Sequence, residues 1–156
     1  MGLIETPLGF TAEPAENAEN DISGGLNEIT EQIIGGAITF HRALGPGLLE
    51  SAYDTCLAFE LADLGPTVVR QQPLPVVYRG VRLDCGYRTD LIVENEVIVE
   101  VKSVSRLEPI HNAQLLSYLK LSNRRIGLLI NFNVKLLRQG LRRLVANFPQ
   151  STVRVA

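Results

Sequence analysis

The segment from Asp90 to Lys102 constrains the fold more than any other part of this chain. Two apolar runs flank a Glu-Asn-Glu triplet, which is typical of a β-hairpin with a short turn. If Asn95 is the centre of the turn, positions equally distant from it pair, so Asp90 lies opposite Glu100. Because strand side chains alternate between faces, Glu100 and Lys102 share one face and the valines between them take the other. The sequence therefore predicts two carboxylates and an ammonium at one end of an apolar hairpin.

Two carboxylates that face each other across a hairpin need a compensating positive charge. Like charges at paired positions destabilise a sheet, and two close carboxylates resist joint ionisation. A hard cation such as Mg²⁺ or Mn²⁺ accepts one or two carboxylates together with water and phosphate oxygens. Lys102 would project into the same pocket, where its charge can hold a phosphate or orient an attacking water. In the plainer alternative, Glu100 and Lys102 form a solvated strand end, and Asp90 pairs with Lys102 or Arg88.

The length of 156 residues predicts one domain with one hydrophobic core. Residues 1–26 are acidic and lack apolar periodicity, so we expect a flexible leader followed by a single domain over residues 27–156. No apolar run is long enough to span a bilayer and no secretory signal is evident, so we expect a cytoplasmic protein without a membrane partner. Cys56 and Cys85 are too few for a disulfide framework or a four-cysteine metal site.

Hydrophobic periodicity predicts an α/β or α+β domain with a mixed sheet flanked by helices. Two helices are expected on either side of Gly45-Pro46-Gly47, the first beginning near Asn27 and the second ending near Gly65. The later predicted elements are strands at Thr67–Val69, Leu74–Tyr78, Val81–Leu83, Tyr87–Val93 and Val97–Lys102, a helix at His111–Leu121 and a strand at Ile126–Phe132. The basic segment Val134–Phe148 fits either a helix or a strand.

The net charge of −2 conceals an uneven distribution. Residues 1–31 contain seven acidic residues and no basic ones, whereas residues 109–156 contain eight basic residues and no acidic ones. A basic segment of this kind is the pattern expected for contact with a polyanion, although it is also typical of a solvated face. The candidate nucleic-acid-binding residues are Lys120, Arg124, Arg125, Lys135, Arg138, Arg142 and Arg143. Arg138, Arg142 and Arg143 would share a face if their segment is helical.

Two predicted helices carry further polar residues of interest. Glu50 lies in the first turn of the second helix, where an acidic residue also complements the helix dipole. Gln114 and Tyr118 are four residues apart and therefore share one face of the helix that follows the hairpin. His41 and His111 have no second His or Cys at metal-ligand spacing, so we expect them to pack or to cap.

These residues together resemble the motifs of known families. Gly47-x-x-Glu50-x-x-Tyr53 resembles the signature of the GxxExxY protein family. Asp90, Glu100-Val-Lys102 and Gln114-x-x-x-Tyr118 resemble motifs II, III and IV of the PD-(D/E)XK nuclease superfamily, over residues 27–145. The resemblance implies a restriction-endonuclease-like core, here in the order α-α-β-β-β-α-β. One departure is Thr89, which stands where the superfamily name has proline.

The resemblance also implies roles for the site residues. Asp90 and Glu100 would ligate Mg²⁺ or Mn²⁺, and Glu50 would complete the metal shell or hold a second ion. Lys102 would assist the attacking water, and Gln114 with Tyr118 would support the site as in RecB-like and phage exonuclease-like members. The four cysteines of an iron–sulfur cluster are absent, so no cluster is expected.

The leading hypothesis is a metal-dependent nuclease that hydrolyses nucleic-acid phosphodiesters, with DNA favoured over RNA. The alternative is a non-catalytic nuclease-fold protein that binds nucleic acid or assembles into a homo-oligomer, the acidic leader docking on the basic end of a neighbouring subunit. A small-molecule phosphohydrolase is disfavoured because no glycine-rich phosphate loop is present.

Overall fold

Seven strands form one mixed sheet in the computed structural model, which describes residues 4–5, 11–13 and 24–147. The strands of the chain are β1 (Ile4–Glu5), β2 (Thr11–Glu13), β3 (Val68–Pro73), β4 (Val76–Tyr78), β5 (Val81–Leu83), β6 (Arg88–Val93), β7 (Val97–Lys102), β8 (Ile126–Asn131) and β9 (Leu141–Val145). The helices are α1 (Gly24–Leu44), α2 (Glu50–Leu64) and α3 (Pro109–Ser122). The sheet order is β1-β2-β9-β8-β7-β6-β3, and β4 with β5 forms a separate hairpin. Within these described residues, β7 and β8 are the one parallel pair.

The sheet is covered by helices on both faces. Odd-numbered residues of β7, such as Val99, pack against α1 and α2 through Ile33, Leu57 and Leu61. The even-numbered Ile98 packs against α3 through Leu115. This alternation confirms the predicted division of the hairpin faces, and the α+β architecture is consistent with the predicted restriction-endonuclease-like fold.

The β6–β7 hairpin has the predicted register. Leu91 pairs with Val99 and Val93 with Val97, so the turn is centred on Asn95. Glu94 and Asn95 adopt left-handed conformations with φ of 53° and 56°. The Glu94 carboxylate accepts a hydrogen bond from the Thr67 backbone N–H, which ties the turn to the start of the neighbouring strand. The hairpin therefore places Asp90 and Glu100 at its open end.

Helix ends agree with the local sequence signals. α2 ends at Leu64 and is capped by Gly65, whose φ of 111° lies in the left-handed region that glycine adopts without strain. α3 begins with Pro109, and the Glu108 backbone N–H donates to His111 Nδ1 at 2.9 Å. His41 is buried and its Nε2 donates to the Phe132 carbonyl at 3.0 Å. The prediction that both histidines pack or cap is confirmed.

The C-terminal segment is not a helix. A short 3₁₀ turn spans Leu137–Gly140, and β9 follows at once and pairs antiparallel with β8. The helical face proposed for Arg138, Arg142 and Arg143 therefore does not form. Phe148 and the residues after it lie outside the described part of the chain.

Two parts of the predicted leader, β1 and β2, are described, and β2 pairs with β9. The other leader residues up to Ser23 lie outside the described part, so its flexibility stays a prediction. α1 begins at Gly24, three residues before the predicted start at Asn27. Among the described helices, none has the length and apolar character needed to cross a membrane.

Candidate active site

The open end of the β6–β7 hairpin is held by two side chains. Backbone pairing ends at Leu91 and Val99. Beyond that point, the Asp90 backbone N–H donates to Glu100 Oε2 at 3.0 Å, and the Val101 N–H donates to Asp90 Oδ2 at 2.8 Å. The two carboxylates therefore continue the hydrogen bonding of the hairpin where the strands separate.

Each of these carboxylates keeps one oxygen available. Glu100 Oε1 and Asp90 Oδ1 accept no hydrogen bond from the residues that the structure describes. Glu100 is only 4% exposed. Burial, and then the nearby charge of Asp90, raises the pKa of Glu100 to about 8. Burial also raises the pKa of Asp90, with a smaller contribution from the charge of Asp54. The pair is thus unfavourable in its fully ionised form unless a cation lies beside it.

Three further predicted site residues form a hydrogen-bonded chain. Lys102 Nζ donates to Gln114 Oε1 at 3.2 Å, and Gln114 Nε2 donates to the Tyr118 hydroxyl at 3.2 Å. The Tyr118 pKa is raised by burial and by the charge of Glu100, so this hydroxyl lies within electrostatic reach of the carboxylates. The structure therefore brings Asp90, Glu100 and Lys102 together, as the hairpin pattern predicts. Gln114 and Tyr118 of α3 lie beside them.

Glu50 approaches the site from the start of α2. Its Oε2 accepts a hydrogen bond from the backbone N–H of Ser103 at 3.3 Å, one residue after Lys102. Ser103 Oγ in turn donates to the Leu48 carbonyl at 2.6 Å. Glu50 is exposed, so it lies at the rim of the site rather than within it.

Tyr53 explains how the loop before Glu50 is held. Its hydroxyl donates to the Gly45 carbonyl at 2.6 Å and accepts from the Leu48 N–H at 3.1 Å. Its ring is fully buried and stacks on Phe132 with centroids 4.7 Å apart. Tyr53 is therefore a core residue whose polar end positions the loop that carries Glu50.

Sequence reasoning missed Asp54. It follows Glu50 by four residues, so the two share a face of α2, and this spacing is the signal that could have identified it. Asp54 is 7% exposed and its Oδ2 lies 3.4 Å from Arg70 Nη2. Its Oδ1 has no hydrogen-bond partner among the described residues. Asp54 thus adds negative charge next to Asp90.

The carboxylate pair suits one divalent cation. Its two unbonded oxygens are hard ligands, and Mg²⁺ commonly takes one or two carboxylates and completes its shell with water and phosphate. No group of three or more His, Cys, Asp or Glu in the described ranges is arranged to hold a metal ion. The remaining ligands at such a site would therefore be water, backbone or substrate oxygens. A shell of this kind leaves positions for a reacting phosphate.

A family model described as the PD-(D/E)XK nuclease superfamily matches residues 27–144. The chain belongs to this superfamily. The matched span includes every catalytic candidate from Glu50 to Tyr118. The chain has no significant match among curated proteins. It has none among solved structures either.

Thr89 occupies the proline position of the PD-(D/E)XK name without disturbing the pair. It is fully buried in β6 and pairs with Gln72 of β3. Members of the superfamily generally use divalent metals, which agrees with the open carboxylate oxygens.

The predicted nucleic-acid-binding residues of this PD-(D/E)XK chain do not form one surface. Arg124 donates to the Asn95 carbonyl and side chain, beside the hairpin turn. Arg124 and Arg125 thus lie at the start of β8, which is in register with the start of β7. Lys102 is at the other end of β7, about 17 Å away at the rise of an extended strand.

Two other arginines lie on opposite faces of β9. Arg142 is exposed and donates to Asn112 Oδ1 at 3.0 Å. Arg143 is 5% exposed and donates to Asn27 Oδ1 at 2.8 Å. The Arg143 guanidinium therefore lies between β9 and α1. Lys120, Lys135 and Arg138 are exposed.

Proposed function

We propose that this chain is a metal-dependent nuclease that hydrolyses phosphodiester bonds, with DNA as the favoured substrate over RNA. The observation that carries the proposal is the pair formed by the half-buried Asp90 and the buried Glu100, each with one unbonded oxygen, beside the ammonium of Lys102. A divalent cation at the pair would lower the pKa of a bound water and neutralise charge on the phosphate. Mg²⁺ and Mn²⁺ both suit these ligands.

Lys102 would act on the reacting phosphate or water. Gln114 Oε1 accepts one of its three N–H donors, so the other two remain to contact substrate. Tyr118 holds the amide of Gln114, which fixes the direction of this contact. The hydrogen bonds from Tyr118 through Gln114 to Lys102 therefore position the Lys102 ammonium.

Glu50 would bind a water of the metal shell or a second ion from the rim. Its attachment to Ser103 places its carboxylate beside the residue after Lys102. The roles of Tyr53 in the loop and of Glu50 at its end also support membership of the GxxExxY family, whose signature these two residues carry.

Cleavage of plasmid and single-stranded DNA by the wild-type protein and Asp90→Asn tests the proposal. We expect cleavage in Mg²⁺ or Mn²⁺, its loss with EDTA, and a decrease of at least about 100-fold in Asp90→Asn, as for removal of other groups that stabilise charge in a transition state. Asp63→Asn is the matched control because Asp63 is exposed on α2. Lys102→Met should lose cleavage but retain metal binding.

Calorimetric titration with Mn²⁺ separates the nuclease from a non-catalytic binding protein. Metal binding that Asp90→Asn abolishes supports the nuclease. Cleavage that persists in EDTA would contradict the metal-dependent nuclease and indicate a contaminating activity. DNA affinity without any metal binding would instead indicate a non-catalytic binding protein.

A further inference from the structure

A groove leads away from the candidate active site between α3 and the β4–β5 hairpin. Its volume is about 800 Å³, which is within the range of small-molecule sites. Lys102, Gln114 and Tyr118 lie on its wall, so it is continuous with the site already described. The remaining walls include Val77 and Tyr87 on one side and Ile110 on the other.

The walls of this groove include exposed apolar side chains. Val77, Tyr87 and Ile110 are 56%, 45% and 68% exposed. The β4–β5 hairpin pairs with no described strand of the main sheet, so its side chains are not covered by that sheet. Contiguous exposed apolar surface of this kind commonly marks a binding site.

Tyr87 gives the groove an aromatic surface next to the site. Its ring lies 6.0 Å from the ring of Tyr118 at an interplanar angle of 53°. Tyr118 is hydrogen-bonded to Gln114, and Gln114 to Lys102. A flat ring resting on Tyr87 would therefore lie beside the ammonium that faces the reacting phosphate.

The charge of the groove indicates the chemistry of its occupant. Its lining contains Lys102 and Lys120 and no aspartate or glutamate. A ligand that combines flat apolar rings with regularly spaced negative charges matches such a lining. A single nucleic-acid strand has this composition, since base faces stack on aromatic side chains and phosphates attract lysines.

We propose that the groove binds unstacked bases of a single-stranded segment next to the scissile phosphate, which defines the substrate class of the proposed nuclease and rests on that function. A duplex is a poorer occupant because its base faces are stacked on one another and only the base edges are accessible. Tyr87 supplies the stacking surface, and Val77 with Ile110 encloses the base.

Fluorescence anisotropy tests the proposal in EDTA, where no metal-dependent cleavage occurs. The probes are a labelled single-stranded oligodeoxynucleotide and a duplex of the same sequence. The single strand should bind at least about 10-fold more tightly. Tyr87→Leu and Ile110→Ser should each weaken single-strand binding by about 10-fold, the size expected when one base loses its stacking partner. Tyr78→Leu and Phe59→Ser are matched controls, because both residues are exposed and neither lines the groove.

Equal affinities for single strand and duplex, or unchanged binding in both Tyr87→Leu and Ile110→Ser, would overturn the assignment. Circular dichroism checks that each variant is folded. The two proposals fail in different ways. Selective single-strand binding without cleavage of any nucleic acid contradicts only the proposed nuclease activity. Cleavage together with binding that is unchanged in Tyr87→Leu and Ile110→Ser contradicts only the proposed groove.

Discussion

At the scale of single residues, the site depends on two hydrogen bonds that join Asp90 to Glu100 and to Val101. The Asp90 amide donates to the Glu100 carboxylate, while the Asp90 carboxylate accepts from Val101. The opposition of Asp90 and Glu100 was predictable because alternation and turn position set the register. Asp54 is buried and lies four residues after Glu50, but two acidic residues at this spacing are also typical of a solvated helix face, so the spacing alone did not single it out.

The raised pKa of Glu100 predicts a dependence of stability on pH. Its pKa is about 8 in the folded protein against an ordinary value of 4.5, so between these values the folded state binds more protons than the unfolded chain. The contribution of Glu100 to the free energy of unfolding should therefore decrease as pH rises through this interval and level off above it. Urea denaturation in EDTA at several pH values measures this slope.

Glu100→Gln should remove this part of the pH dependence because glutamine does not titrate. Glu31→Gln, at an exposed position of α1, should keep it. An equally steep decrease in Glu100→Gln would contradict the prediction.

Thr89 offers a test of a buried hydroxyl without a partner. Thr89 Oγ1 makes no hydrogen bond to the described residues, although the residue is fully buried. Thr89→Val should therefore be neutral or stabilising, since it removes an unsatisfied polar group of similar shape. Thr30→Val should destabilise by about 1 kcal/mol because Thr30 Oγ1 donates to the Asn27 carbonyl at 3.0 Å. Thermal denaturation compares them, and a larger loss for Thr89→Val would refute this account.

At the scale of elements, the 3₁₀ turn before β9 supports the loop that follows Lys102. The turn packs Gly140 against the end of β8 at Asn131. Asn131 Oδ1 accepts from the Val104 N–H, and its Nδ2 donates to the Val104 carbonyl, both at 3.0 Å. The turn therefore stabilises the segment to which Glu50 is attached.

Gly140→Ala should destabilise the protein by about 3 kcal/mol. A Cβ at this position would lie 2.1 Å from the Asn131 carbonyl oxygen, so the backbone of β8 or of the turn must shift. Gly35→Ala is the control: it is exposed in α1 with nothing within 4 Å of a Cβ, and it should stabilise by about 1 kcal/mol. Chemical denaturation measures both, and a neutral Gly140→Ala would show that this packing is unimportant.

Elements differ in how well the sequence predicted them. β8 was predicted because the apolar run from Ile126 to Phe132 is typical of a strand buried on both faces. The segment after Val134 was ambiguous because a 3₁₀ turn of four residues is too short to leave a periodic pattern. The β4–β5 strands were predicted, but their separation from the main sheet depends on tertiary pairing that local patterns do not encode.

At the scale of the whole molecule, the position of the site follows from the parallel pair of β7 and β8. Lys102 and Asn131 end these strands side by side, and α3 crosses between them on one face of the sheet. This arrangement places the basic residues of the C-terminal third at opposite ends of the parallel strand pair. Lys120 lines the groove, whereas Arg125 lies at the far end of β8.

Charge reversal at these two exposed positions should have different effects. Lys120→Glu should weaken binding of a short single strand and reduce the slope of log affinity against log salt by about 1. Arg125→Glu should leave both nearly unchanged, because a short strand bound at the site does not reach the hairpin turn. Anisotropy over a series of salt concentrations tests this, and equal losses in both variants would contradict the proposed path of the strand.

The predicted homo-oligomer involves the acidic leader, of which the structure describes β1, β2 and residues 24–26 at the start of α1. Oligomer formation and a cytoplasmic location therefore stay predictions. The overall architecture followed from sequence because both sheet faces carry continuous apolar patterns, one for each helical layer.

The hydrogen bonds at the hairpin end also make two backbone amides into spectroscopic reporters. The N–H groups of Asp90 and Val101 donate to the carboxylates of Glu100 and Asp90. The NMR chemical shifts of these two amide protons should therefore follow the loss of the carboxylate protons. They should also respond when a cation draws the unbonded oxygens toward itself. The occupancy of the site is thus readable from the backbone, without a substrate.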